Sequence, residues 1–252
     1  MSTLIAATTL SLSAPAVAAN QTTLEFASLP SAQGWNYESD GAPEASIFSV
    51  AGGVLTQNTL AGPFSLEGYR LPGVVDPSLP FTLSVRARVL AESGTANQIA
   101  TNPFGFAFIV GTGTPLDQGL AIGIGTDRMA DFTNNLFLGF DNTAFHDYRL
   151  EGEFGVGAGY DFYVDGVLVA SGGPRLDPAV PNGLYLGDST RGVGAHAEIT
   201  AYSFVQPHPP ESVDDCKRGG WPTKTDTEGR PFKNQGDCVS YVTTAGRNPA
   251  AG

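Results

Sequence analysis

Carboxylates, imidazoles and amide-rich loops are where chemistry would start in this chain, and few of them are arranged for it. Glu151 and Glu153 come nearest to an acid pair, since one intervening residue on a strand points both side chains the same way. A retaining glycosidase needs its two carboxyls across the scissile bond at about 5–5.5 Å, with one pKa raised by burial. These two sit at a strand end beside the glycine-rich turn 155–159, so they read as a solvated face, and no catalytic residue is assigned. His146, His196 and His208 form no i, i+4 pair and have no cysteine at zinc spacing, which argues against zinc. There is no Gly-x-Ser-x-Gly elbow, and no helix follows the glycine runs at Gly111, Gly123 and Gly155 to cradle a phosphate.

Two constellations have more to offer. Asp127, Asp131, Asn134, Asp141 and Asn142 place hard oxygen donors close together in an acidic region, as a structural calcium ion would require. Asp and Asn are also ordinary turn residues, so the loop reads either as a calcium site or as turn chemistry. A shallow sugar site needs an aromatic platform beside amides and carboxylates. Trp35, Tyr37, Tyr69, Tyr163 and Tyr185 are the aromatics available, and Trp35, Tyr37 and Tyr163 with Asn134 and Asn135 make the candidate ligand set. Tyr163 alternates with Phe162, so it is exposed if Phe162 is core.

The elements that would position these residues are strands. The chain has 252 residues, 41% hydrophobic, with 32 Gly and 18 Pro and no G-X-Y period, which favours short strands and turns. Between 81 and 89, Phe81, Leu83, Val85, Ala87 and Val89 alternate with Thr82, Ser84, Arg86 and Arg88: one face core, one face wet. Phe104, Phe106, Phe108 and Val110 repeat the pattern around the small Gly105 and Ala107, while 120–124 and 136–140 are near-continuous apolar runs. Asp165-Gly166 between Val164 and Val167 predicts a type I′ hairpin joining strands 160–164 and 167–170. With 145–153 ahead of them, these make a meander.

Charge excludes some partners. Lys+Arg 13 against Asp+Glu 25 gives −12. The segment from Glu211 onward is neutral, so the whole excess falls on residues 1–210, which contain no lysine. Such a surface repels phosphate backbones and anionic lipid, leaving neutral polymers, cations and basic proteins as partners. No apolar run reaches the roughly 20 residues of a membrane helix. Residues 1–19 read as a signal peptide, with the small-residue run Ala16–Ala19 at the cleavage site but no charged n-region; the other reading is an apolar N-terminal strand.

The strand Phe145–Leu150, a short turn, and the segment Tyr160–Ala170 with its Val-Asp-Gly hairpin resemble the core of the concanavalin A-like lectin/glucanase superfamily, especially its laminin-G-like branch. The resemblance covers about residues 22–206. It implies a two-sheet antiparallel jelly-roll sandwich in which 24–26 and 197–204 lie together as first and last strands. It also implies carbohydrate or surface-polymer recognition. The glucanases of the superfamily carry E-x-D-x-x-E on one strand, and that motif is missing here.

Domain organisation follows: a sandwich over 20–205, a Pro-rich linker over 206–210, and a small module over 211–252. Cys216–Trp221 and Phe232–Val242 resemble a small cysteine-containing module of secreted bacterial proteins, a likeness that transfers no activity. Cys216 and Cys238 are the only thiols of a chain read as exported, so they are expected to pair. Asn234 is expected to cap a helix ending at Gly246, with Trp221 and Phe232 packed around the disulfide. The overall expectation is a secreted, non-catalytic protein that binds a glycan or another extracellular polymer. The alternatives are a structural or adhesive surface protein, or a hydrolase with unconventional carboxylates.

Overall fold

The computed structural model describes residues 21–62, 66–94, 104–131, 136–176, 180–190 and 192–251. The leader read at 1–19 and the amides Asn134 and Asn135 lie outside them. In chain order the strands are β1 (Gln21–Leu24), β2 (Asn36–Ser39), β3 (Phe48–Ala51), β4 (Val54–Asn58), β5 (Glu67–Pro72), β6 (Phe81–Glu92), β7 (Ala107–Gly113) and β8 (Gln118–Ile124). There follow β9 (Arg128–Asp131), β10 (Leu136–Gly139), β11 (His146–Gly152), β12 (Tyr160–Val164), β13 (Val167–Gly172), β14 (Arg175–Leu176), β15 (Gly183–Asp188) and β16 (Ala195–Val205). A single turn of helix, α1 (Glu44–Ile47), precedes β3, and α2 (Gln235–Thr243) lies in the tail.

These strands form an all-β, two-sheet antiparallel sandwich of jelly-roll type. The first sheet has the order β13-β12-β11-β6-β16-β4-β3, with β1 also on β16; the second runs β10-β9-β8-β7-β15-β5-β2, with β14 also on β8. The alternation in β6 sets the arrangement: Phe81, Leu83, Val85, Ala87 and Val89 are all buried, with Thr82, Ser84, Arg86 and Arg88 on the other side. Facing them, Phe108, Val110, Leu120, Ile122, Leu184 and Leu186 of the second sheet complete one core. The first and last strands pair as expected, Leu24 opposite Tyr202.

Two local features keep the first sheet in register. In β16 the ladder with β6 slips between Ile199 and Ala201, so Ala197 and Ile199 before the bulge and Tyr202 and Phe204 after it all reach the core. At the β12–β13 turn, Asp165 (φ 49°) and Gly166 (φ 79°) take the left-handed conformations a type I′ turn requires. The Asp165 carboxylate accepts the Asp147 N–H at 2.9 Å and meets His146 Nδ1 at 2.6 Å, latching the turn onto β11.

The tail has a core of its own: Cys216, Phe232, Cys238, Tyr241 and Ala250, with Trp221 packed against it. Cys216 and Cys238 are joined by a disulfide with Cα atoms 5.7 Å apart. Asn234 caps α2 by accepting the Asp237 N–H at 3.0 Å, and Gly246 (φ 79°) closes its far end by donating to the Tyr241 carbonyl. At the centre, buried Asp226 accepts N–H bonds from Glu228, Arg230 and Ala250 and an ion pair from Arg230 at 2.7 Å. The segment 206–210, expected as an extended Pro-rich linker, begins on the sandwich. Gln206 is buried, accepts the Asp76 N–H and donates to the carbonyls of Asp76 and Leu79, so the strap is bonded to the sandwich.

Candidate functional site on the outer face of the first sheet

Period-2 alternation leaves the polar residues of β12, β11, β6, β16 and β1 on one face, and the antiparallel register aligns them in rows across the strands. In the middle row, Tyr163 lies opposite Arg149, Arg149 opposite Ser84, Ser84 opposite Ser203 and Ser203 opposite Thr23. One step along the strands, about 7 Å at 3.3–3.4 Å per residue, Asp147 pairs with Arg86 and Arg86 with Ala201. One step the other way, Ser171, Asp161, Glu151, Thr82 and Val205 line up. At about 4.8 Å per strand, the middle row spans about 19 Å.

Over the first two rows lies an open groove of about 730 Å³, whose lining includes Thr23, Glu25, Ser84, Arg86, Arg149 and Ser203. Its charges neutralise one another: Arg86 bonds Asp147 at 2.7 Å, and Arg149 bonds Glu151. At one flank the Arg149 guanidinium lies 4.2 Å from the centroid of the half-buried Tyr163 ring. At the other, Phe145 receives Arg88 at 4.5 Å and Arg86 at 5.9 Å, and Arg88 pairs with Glu198 at 2.7 Å. Partial desolvation, then the nearby Asp161, raises the Tyr163 hydroxyl pKa; the Asp147 N–H, then His146, lowers that of Asp165. The face thus presents hydroxyls, balanced ion pairs and flanking rings, the kit for hydrogen-bonding and stacking on a neutral polar chain.

The structure brings only part of the expected ligand set here. Tyr163 is on the face, opposite Phe162 as its alternation requires. Trp35 is a correction: it is 4% exposed, edge-on to Tyr202 at 5.3 Å, because its indole fills the core beside the last strand. Tyr37 is also turned inward, packing on Phe48 and Tyr69 and donating to Glu67 at 2.5 Å and to the Ala42 carbonyl at 3.0 Å. Tyr69 and Tyr185 are buried, the latter under Arg70 with its hydroxyl on the Asp188 carbonyl. The residues that sequence reasoning passed over are Arg149, Phe145, Ser84 and Ser203; the alternation showed which side they occupy, but only the register shows that they are neighbours.

The described members of the calcium set are engaged elsewhere. Asp127 pairs with Arg128 at 2.5 Å, and Asp131 accepts the Tyr160 hydroxyl. Asp141 caps its own turn on Thr143. Asn142 is a bracket: its amide donates to the carbonyls of Gly125, Arg128 and Phe140 while its carbonyl accepts Tyr148 Oη at 2.7 Å. Among the described residues no three His, Cys, Asp or Glu gather as a metal-holding group. Glu151 and Glu153 lie at the end of the face, with Glu151 held by Arg149.

No protein family model matches the chain, and no curated protein matches it. Among solved structures the chain is similar to a Bacillus licheniformis β-glucanase at 16% identity and a TM-score of 0.46, with 74% of this chain and 98% of that one covered. It is similar to a prokaryotic β-1,3-1,4-glucanase from a mouse hindgut metagenome at 14% identity and 0.48, covering 74% and 99%. For the carbohydrate recognition domain of Emp46p, in metal-free form, the figures are 13% and 0.39, covering 68% and 87%. The side chains of the face, not these likenesses, carry the functional reading.

Proposed function

We propose that this is a secreted, non-catalytic recognition protein that binds a neutral polysaccharide along the outer face of its first sheet. The observation that carries the reading is the open groove of about 730 Å³ over a row of hydroxyls, flanked by Tyr163 on Arg149. Arg149 orients the Tyr163 ring and, with Ser84, Ser203 and Thr23, offers hydrogen bonds to sugar hydroxyls. A disulfide in the tail and the lack, among the described residues, of any helix long and apolar enough to cross a membrane are compatible with an extracellular setting.

The placement of the acids supports the non-catalytic part. Glu151 and Asp161 are cross-strand neighbours already engaged by Arg149 and Ser171, and neither belongs to an E-x-D-x-x-E strand of the glucanase kind. The full-length protein should bind on a glycan array while releasing no reducing ends from β-glucans. Hydrolysis that disappears in Glu151→Gln or Glu153→Gln would overturn the non-catalytic reading, and an empty array would overturn the binding reading.

A further inference from the structure

A second groove, of about 580 Å³, opens where the sandwich meets the tail. Its floor is the acidic row of the same sheet face, with Thr82, Glu151, Glu153 and Asp161, and its far wall is Pro207 and Thr227. No basic residue is among its described lining. Arg149 neutralises Glu151 from outside the groove, and among the described residues Asp161 accepts only the hydroxyls of Ser171 at 2.5 Å and Tyr163 at 3.4 Å. Glu153 is exposed and makes no ion pair with the described residues. The groove therefore carries uncompensated negative charge, beside a neighbouring groove whose charges cancel. It belongs to a sandwich whose residues 1–210 hold the chain's whole −12 excess.

Building on the polysaccharide reading, we propose that this groove is a subsite for an amine-bearing sugar and that the tail module completes it. A protonated amine on a saccharide reaching from the hydroxyl row would meet Asp161 and Glu153, while Thr82 and Ser171 supply hydroxyl contacts. Thr227 and Pro207 cover the opposite side of the ring. The module thus acts in selectivity, as a wall that only its disulfide-closed fold holds in place, and the strap at Gln206 fixes it against the sheet.

The test is calorimetric titration of the full chain with three hexasaccharides of one length: β-glucose, N-acetylglucosamine and glucosamine. Glucosamine should bind about tenfold more tightly than its acetylated form, the size of one charge-assisted hydrogen bond, and the preference should shrink with added salt. Glu153→Gln combined with Asp161→Asn should bring the three ligands to parity. Thr227→Trp, at the exposed wall of the groove, should abolish the preference by filling the space the amine-bearing ring would occupy. Glucose binding with no preference for the amine overturns this inference alone, as does a preference that survives both variants. Failure of all three ligands to bind overturns the polysaccharide reading with it.

Discussion

The outer faces of the two sheets are built from different residues, and the difference explains why the first is the more open. On the second sheet the outward positions include Gly68, Ala107, Gly111, Gly119, Gly123 and Ala130, and two large rings are closed in: Tyr185 is 1% exposed and Phe104 fully buried under Arg128. A Cβ at Gly68 would run into the Tyr185 ring and the Leu186 carbonyl, so glycine there makes room for a packed layer. On the first sheet the outward positions are mostly Thr, Ser, Arg, Asp, Glu and Tyr, with Ala201, Val205 and Leu168 among them, and polar groups of that kind are costly to cover and are left open. Small residues close a face by admitting neighbours; short polar ones keep it available.

The contrast can be broken most severely outside both faces. Reducing the Cys216–Cys238 bridge, which spans 22 residues, should remove about 3 kcal/mol from the tail by the chain-entropy estimate. The sandwich melt and both sheet faces should persist, as circular dichroism with and without reductant will show. Next, Gly68→Val should cost about 1–3 kcal/mol by overpacking the closed face. Ser84→Val on the open face should stay within about 0.5 kcal/mol, because the residue faces the open groove. Urea denaturation of the two variants measures the contrast, and equal costs would erase it.

A loss of stability as pH rises towards neutrality belongs to the closed sheet. Asp188 is fully buried opposite Glu67, and one of its oxygens has no hydrogen-bonding partner; burial pushes its pKa up to about 7. The folded state therefore holds a proton that the unfolded chain releases at about pH 4. Its contribution is complete below about pH 4 and is lost as pH rises through 7, by on the order of 1–3 kcal/mol. Melting temperature should fall between pH 5 and pH 8, and Asp188→Asn should flatten that decline. Acids whose pKa is lowered, such as Asp165 and Asp226, work in the opposite sense and are lost only at lower pH. A decline that is unchanged in the variant would remove Asp188 from the account.

Much of this fold is legible in the sequence because strand alternation and turn chemistry are local. The β6 pattern, the Asp165-Gly166 hairpin and the Asn234 cap appear where they were read, while the first strand, expected at 24–26 from the resemblance, pairs with the last through 21–24. Alternation tells inside from outside on one strand, but it says nothing about which outward residues share a row. Trp35 has the composition of a platform and the burial of a core residue, a distinction that depends on Tyr202, far along the chain. In the Asp/Asn loop the sequence gives no hint that Asn142 is engaged by three backbone carbonyls and Tyr148. Gln206 is hidden in the same way, since a proline-rich string gives no hint of bonds to Asp76, 130 positions away.

The central claim is that the hydroxyl row beside Tyr163 and Arg149 is where a polysaccharide binds. The measurement that tests it most directly is the affinity of the full chain for its best array glycan, compared with Tyr163→Ala. Loss of ring stacking, worth about 0.5–1.5 kcal/mol, predicts an affinity lower by about two- to tenfold, with the melt moved by less than about 1 kcal/mol because the ring is half-exposed. Undiminished affinity in that variant, at unchanged stability, would contradict the assignment of the face.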